Sequence, residues 1–223
     1  MSLNPVRILK TAIPILLLAA SVGACAIGNK YDYRRTAPKV DLKSSREATV
    51  AVIDRRPYII NKDKNPDFVG LQRAGFGNPW NVRTTSGQPL ASDFRGVLIN
   101  SLRSAGMKVE PAKVPFLAAP DQAVAVFAQS SVDRSVLLVV RDWKTDTYSR
   151  AALHFDLELS VYDKNTLLAS KRIRGRHAIG AAVLPSGIGL LAISAAAQKL
   201  SLLLNDPKIV AALGTGPAGP PTN

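Results

Sequence analysis

The chain has 223 residues, 47% of them hydrophobic, a formal charge of +13 at pH 7 and a single cysteine. That length supports one sizeable domain with flexible ends rather than two domains. A lone thiol excludes an internal disulfide, and the positive balance favours anionic partners such as membrane headgroups or acidic polymers.

Arg7 and Lys10 precede an apolar run that ends in the small residues Ser21-Val22-Gly23-Ala24, directly before Cys25. A basic start, a short apolar middle and a small-residue end make residues 1–24 an export signal. Pro14 and Ser21-Val22-Gly23 leave the run short of the ~20 apolar residues of a transmembrane helix. Val22-Gly23-Ala24-Cys25 resembles the lipobox of bacterial lipoproteins. The resemblance implies a lipoprotein whose Cys25 carries acyl chains such as palmitate. With Ala26 in place of aspartate after the cysteine, it also implies the periplasmic face of the outer membrane. Ala24-Cys25-Ala26 is at the same time an A-x-A cleavage site, and cutting after Ala26 would release a soluble periplasmic protein. Export in either form leaves no nucleic acid as a partner.

Residues 25–46 are polar and basic without sustained periodicity and read as a flexible tether. Fully extended, such a tether reaches at most about 70 Å. Arg34 and Arg35, beside Tyr31 and Tyr33, suit lipid headgroups or a plain solvated linker. The folded domain is expected over 47–213. Ala48-Thr49-Val50-Ala51-Val52-Ile53 is apolar on both faces, which places a strand in the middle of a covered sheet. Pro57 breaks it, and Tyr58-Ile59-Ile60 is expected as a short edge. Asn61 to Pro89 is long and irregular, with a hairpin starting at Val69-Gly70-Leu71 and turning at Gly75–Asn78. Gly70, Gly75 and Gly77 lack nucleotide-binding spacing. Phe68, Arg73, Phe76 and Trp80 make this segment a candidate partner surface, since aromatics and arginine anchor interfaces.

Leu90, Phe94, Val97, Leu98, Ser101, Leu102 and Ala105 form the stripe of an amphipathic helix over 90–105. Ser92 or Asp93 is expected to cap it, and Gly106 stops it. Met107–Glu110 returns as a strand, completing a βαβ-like unit. A short helix is expected from Asp121 to Ser131, and a second strand apolar on both faces at Val136–Val140. Leu153 to Tyr162 alternates strictly, with His154, Asp156 and Glu158 on the wet face. A three-residue turn at Asp163-Lys164-Asn165 would place Asp156 opposite Arg172 and His154 opposite Arg174. Arg172, Arg174 and Arg176 are then a candidate anion-binding row, suited to peptidoglycan or lipopolysaccharide. Ser186 to Leu204 reads as a helix closing one face of the sheet. Asp206-Pro207-Lys208 starts another, and residues 214–223 read as a disordered tail. The expected fold class is α+β or α/β: a single domain whose mixed sheet ends in a C-terminal antiparallel meander, packed by helix 90–105 and a C-terminal helix.

No catalytic set stands out. His154 and His177 are the only histidines, and neither lies at metal-ligand spacing. Asp156 and Glu158 share a strand face, but nearby arginines suit structural ion pairs. No enzyme activity, cofactor or metal is expected. Several segments together resemble the YajG-like family of small bacterial lipoproteins. They are Val50-Ala51-Val52 with Asp54-Arg55-Arg56, Val69-Gly70-Leu71, Gly75-Phe76-Gly77-Asn78, helix 90–105 before Gly106, Leu153–Asp163 and Asn205-Asp206-Pro207. The resemblance implies an exported α/β lipoprotein of the cell envelope without catalytic residues, attached to the membrane through Cys25. Its expected role is accessory, with an envelope protein as partner.

Overall fold

The computed structural model describes residues 29–73, 78–148, 150–180 and 185–214. An eight-stranded mixed sheet forms its centre. The strands are β1 (Lys30–Tyr31), β2 (Glu47–Asp54), β3 (Phe68–Arg73), β4 (Pro79–Thr84), β5 (Lys108–Pro111), β6 (Arg134–Thr147), β7 (Ala151–Asp163) and β8 (Thr166–Gly180). The helices are α1 (Pro57–Ile60), α2 (Leu90–Ser104), α3 (Pro120–Ala128), α4 (Pro185–Leu204) and α5 (Pro207–Gly214), with a 3-10 turn at Tyr33–Arg35. The expected fold class, a single domain with a mixed sheet and a C-terminal antiparallel meander, is the one observed.

β6 organises the sheet. Its first half pairs in parallel with β2, from Ala48↔Arg134 to Asp54↔Val140. Its last residues pair in parallel with β3, from Gly70↔Thr145 to Gln72↔Thr147. β7 runs antiparallel along its other edge. One edge of β6 thus changes partner, and the change is bridged by a buried ion pair. Arg56 and Asp54 are both 0% exposed. The Arg56 guanidinium donates to both carboxylate oxygens, at 2.8 and 2.6 Å. It also donates to the carbonyls of Phe68 (2.6 Å), Trp143 (3.3 Å) and Pro66 (3.1 Å). A planar fork with five donors can satisfy that many acceptors at once, which a lysine cannot.

Apolar residues on both faces of β2 and β6 are covered on both sides, as their pattern requires. One face holds Val50, Val52, Val136, Leu138 and Val140 under α2, α4 and α5. The other holds Ala51, Ile53, Leu137 and Val139 against Ala123 and Phe127 of α3. The α2 stripe is buried from Leu90 to Leu102. α2 begins behind Pro89, earlier than a Ser92 or Asp93 cap implies; Asp93 instead accepts a hydrogen bond from Ser86 Oγ at 3.0 Å. Gly187–Leu204 is long and apolar enough to cross a bilayer by length and composition. Here Ile188, Ala192, Ala196, Leu200 and Leu203 of that helix are buried in the domain core.

Three further expectations change. Residues 29–46 are not a tether. β1 pairs in parallel with β4, and Tyr31 and Tyr33 are 2% and 0% exposed. Beyond the turn, Thr36, Pro38 and Leu42 are buried while Ala37, Lys39, Asp41 and Lys43 are exposed. The segment is a strap, pinned to α4 by hydrogen bonds from Lys39 N to Ser201 Oγ (2.8 Å) and to its C-terminal end by Asp41 N to Asn205 Oδ1 (2.9 Å). Tyr58-Ile59-Ile60 is the single turn α1 rather than an edge, because Pro57 at its first position suits a helix start. The β7–β8 register also shifts. The turn is two residues, Lys164-Asn165, with Lys164 at φ 52, and Leu168 bulges between Leu167 and Ala169. Each displaces the pairing by one residue, so Asp156 faces Arg174 and His154 faces Arg176. Residues 215–223 of the expected tail lie outside the described residues.

Candidate functional site

The chain enters the fold very close to Cys25. Cys25 itself lies outside the described residues. Lys30, five positions on, is already paired in the sheet opposite Arg83. Five extended residues span at most about 18 Å. An anchor at Cys25 would therefore hold the β1–β4 edge near its membrane, and the 70 Å reach of a free tether does not apply.

The expected partner surface on the hairpin is only partly present. Phe68 is 3% exposed and packs edge-on against Tyr58 at 5.5 Å, so it belongs to the core. Its pattern is ambiguous because it opens a strand next to a charged stretch. Phe76 lies outside the described residues. Trp80 is 47% exposed on β4. Arg73 bonds the Asp146 carboxylate through two nitrogens, at 3.0 and 3.1 Å.

The basic row on β8 is also divided. Arg172 is committed to Asp156 by two hydrogen bonds, at 2.8 and 2.6 Å. These bonds hold the Asp156 carboxyl below its ordinary range. Arg141 and Glu158 pair at 2.6 Å, and Ser170 Oγ donates to the same carboxylate at 3.1 Å. Arg174 stands opposite Asp156. Arg172, Arg174 and Arg176 thus have different neighbours, because β7 supplies carboxylates at the turn end of the pair and histidine at the other.

That other end is a cleft. Arg73, Asp146, Tyr148, Arg150, His154 and Arg176 line a cavity of about 440 Å³. A bulge at Arg141 lets the β6 alternation restart, so that Trp143 and Thr145 point into the core. The parallel β3–β6 pairing brings Arg73 to Asp146, and the β7–β8 pairing sets Arg176 opposite His154. Arg73 is the main reason the Asp146 carboxyl lies below its ordinary range. The cleft thus joins one residue of the expected partner surface, Arg73, with one of the expected anion row, Arg176. Tyr148, Arg150 and His154 complete it, and the sequence alone does not group them. Only the strand partners reveal the grouping. Among the described residues no cluster of three or more His, Cys, Asp and Glu side chains could hold a metal ion.

The sequence matches no protein-family model and no curated protein. Its fold does have solved counterparts. Protein XCC0632 from Xanthomonas campestris, a DUF330 protein, is similar over 78% of this chain and 95% of its own, at 14% identity and a TM-score of 0.50. Lipoprotein GNA1162 from Neisseria meningitidis is similar over 71% and 99%, at 15% identity and a TM-score of 0.40. PelC from Paraburkholderia phytofirmans, solved as a dodecamer, is similar over 77% and 96%, at 15% identity and a TM-score of 0.41. The first of these shows a shared fold.

Proposed function

We propose that this chain is a lipid-anchored, non-enzymatic lipoprotein of the bacterial cell envelope. Acyl chains on Cys25 hold it at the periplasmic face of the outer membrane, where its domain binds an envelope partner. The observation that carries this reading is the spacing at the N-terminus. A small-residue run behind Arg7 and Lys10 ends at Cys25, and Lys30 is already in the sheet. The strap then covers α2 and α4, so the chain stays on the domain from Lys30 onward. One acyl chain anchors only marginally, whereas two or more anchor stably. The half-exposed Trp80 lies on β4, the strand whose Arg83 pairs with Lys30. It suits the partner contact, since tryptophan is an effective interface anchor. The cleft offers cations and a paired carboxylate, a set fitted to binding.

Metabolic labelling with an alkyne fatty acid tests the reading. The wild-type protein should take up label and Cys25→Ser should not. An unlabelled wild-type protein that stays in the aqueous periplasmic fraction would favour cleavage after Ala26 and refute the anchor. The YajG-like resemblance belongs to the same proposal and implies the same accessory role.

A further inference from the structure

The open face of β6, β7 and β8 carries its charges unevenly. Toward the turn, Arg141 pairs with Glu158 and Arg172 with Asp156, which Arg174 also faces across the strands. Among the described residues that line the cleft, Asp146 is the one carboxylate, and Arg73 already holds it at 3.0 Å. Arg150 and Arg176 have no salt bridge among the described residues, and His154 lines the same cavity. Two guanidiniums that make no salt bridge, lining one concavity with an imidazole, focus positive potential there.

We propose that this cleft binds a sugar phosphate, with Arg150 and Arg176 on the phosphate and Tyr148 against the sugar ring. The planar guanidinium fork matches phosphate geometry and forms charge-assisted hydrogen bonds that are shorter and stronger than neutral ones. The cavity, about 440 Å³, lies within the range of small-molecule sites and is too large for a bare phosphate ion. Tyr148 is 65% exposed at its rim, a large aromatic that the fold leaves outside the core. Such an amphipathic ring can cover the apolar face of a sugar while its hydroxyl stays wet. The site is independent of whether Cys25 is acylated. A soluble sugar phosphate and the phosphorylated sugar headgroup of a lipid present the same chemistry to it.

The test uses the full chain and the imidazole NMR signals of its two histidines. His154 lines the cleft, whereas His177 does not. Glucose 1-phosphate should shift the His154 signals and leave those of His177 in place. Inorganic phosphate should bind about tenfold more weakly and glucose should not bind. Arg150→Glu with Arg176→Glu should lose at least about tenfold in affinity, about 1.4 kcal/mol. Lys113→Glu, exposed and outside the cleft, should retain the wild-type affinity, and the circular-dichroism melt of each variant is the folding control. Phosphatidylcholine vesicles with and without phosphorylated lipid A distinguish the sources. Cleft-dependent binding to the doped vesicles assigns the headgroup, and binding of the free sugar phosphate alone assigns a soluble ligand. Unmoved His154 signals, an unchanged affinity in the double variant, or tighter binding of glucuronate than of glucose 1-phosphate would overturn the proposal.

Discussion

Replacing Arg56 by alanine should be among the most damaging single changes in the domain. The side chain is fully buried and supplies five hydrogen bonds to Asp54 and to the carbonyls of Phe68, Pro66 and Trp143. Those carbonyls come from β3, the loop before it, and β6, the segments that meet where β6 changes partner. Truncation leaves a carboxylate buried without a counter-charge and three acceptors with a lost donor. Removing one member of a buried pair costs about 3–5 kcal/mol, a large share of the ~5–15 kcal/mol that holds a domain together. At roughly 2–4 °C per kcal/mol for a chain of this size, the melting midpoint should fall by roughly 6–20 °C. Arg56→Lys keeps the charge but loses the fork, so it should fall between wild type and alanine. Urea and thermal denaturation followed by circular dichroism measure all three proteins. A loss under about 1 kcal/mol in Arg56→Ala would show that the pair is not the joint between β2 and β3.

Three further outcomes are expected. Leu42→Ala should cost about 2–5 kcal/mol in the same urea assay, because Leu42 is 6% exposed; a mobile tether would give no change. Gly70→Ala should destabilise by about 1–3 kcal/mol or more, since a methyl there would lie 2.6 Å from the Thr145 carbonyl oxygen and must push β3 off β6; a stability equal to wild type would refute that packing. Asp146 and Asp156 have carboxyls held below their ordinary range by hydrogen bonds from Arg73 and Arg172. A lowered folded value stabilises above the unfolded value of about 4 and loses that contribution as pH falls through and below it. The Asp146→Asn, Asp156→Asn protein should therefore show a shallower drop in urea midpoint between pH 6 and pH 3 than wild type, and superimposable profiles would contradict the assignment.

What the sequence disclosed follows from where periodicity is strong. The α2 stripe and the β7 alternation are long enough to specify both type and face, and the two-sided apolar runs of β2 and β6 specify a covered sheet. The strap was hidden because its alternation uses Thr36, Pro38 and Val40 with one Leu42. Those are weak hydrophobes set among lysines, and the grooves they fill exist only once α2 and α4 are in place. Asp54-Arg55-Arg56 gives no sign of its role in the sequence, since nothing local shows that the carbonyls of Pro66, Phe68 and Trp143 converge on Arg56. The β7–β8 register depended on one bulge and one turn residue, neither marked by glycine. The cleft was least visible. Arg73 and Arg176 lie far apart in the chain, and only the partner change of β6 brings them to one cavity.

The mass of the N-terminal peptide of protein extracted from membranes tests the anchored placement most directly. The expected peptide begins at Cys25 and carries a diacylglyceryl group on sulfur and an acyl chain on the amine. A peptide that begins at Ile27, or one that begins at Cys25 with its thiol and amine free, would contradict it.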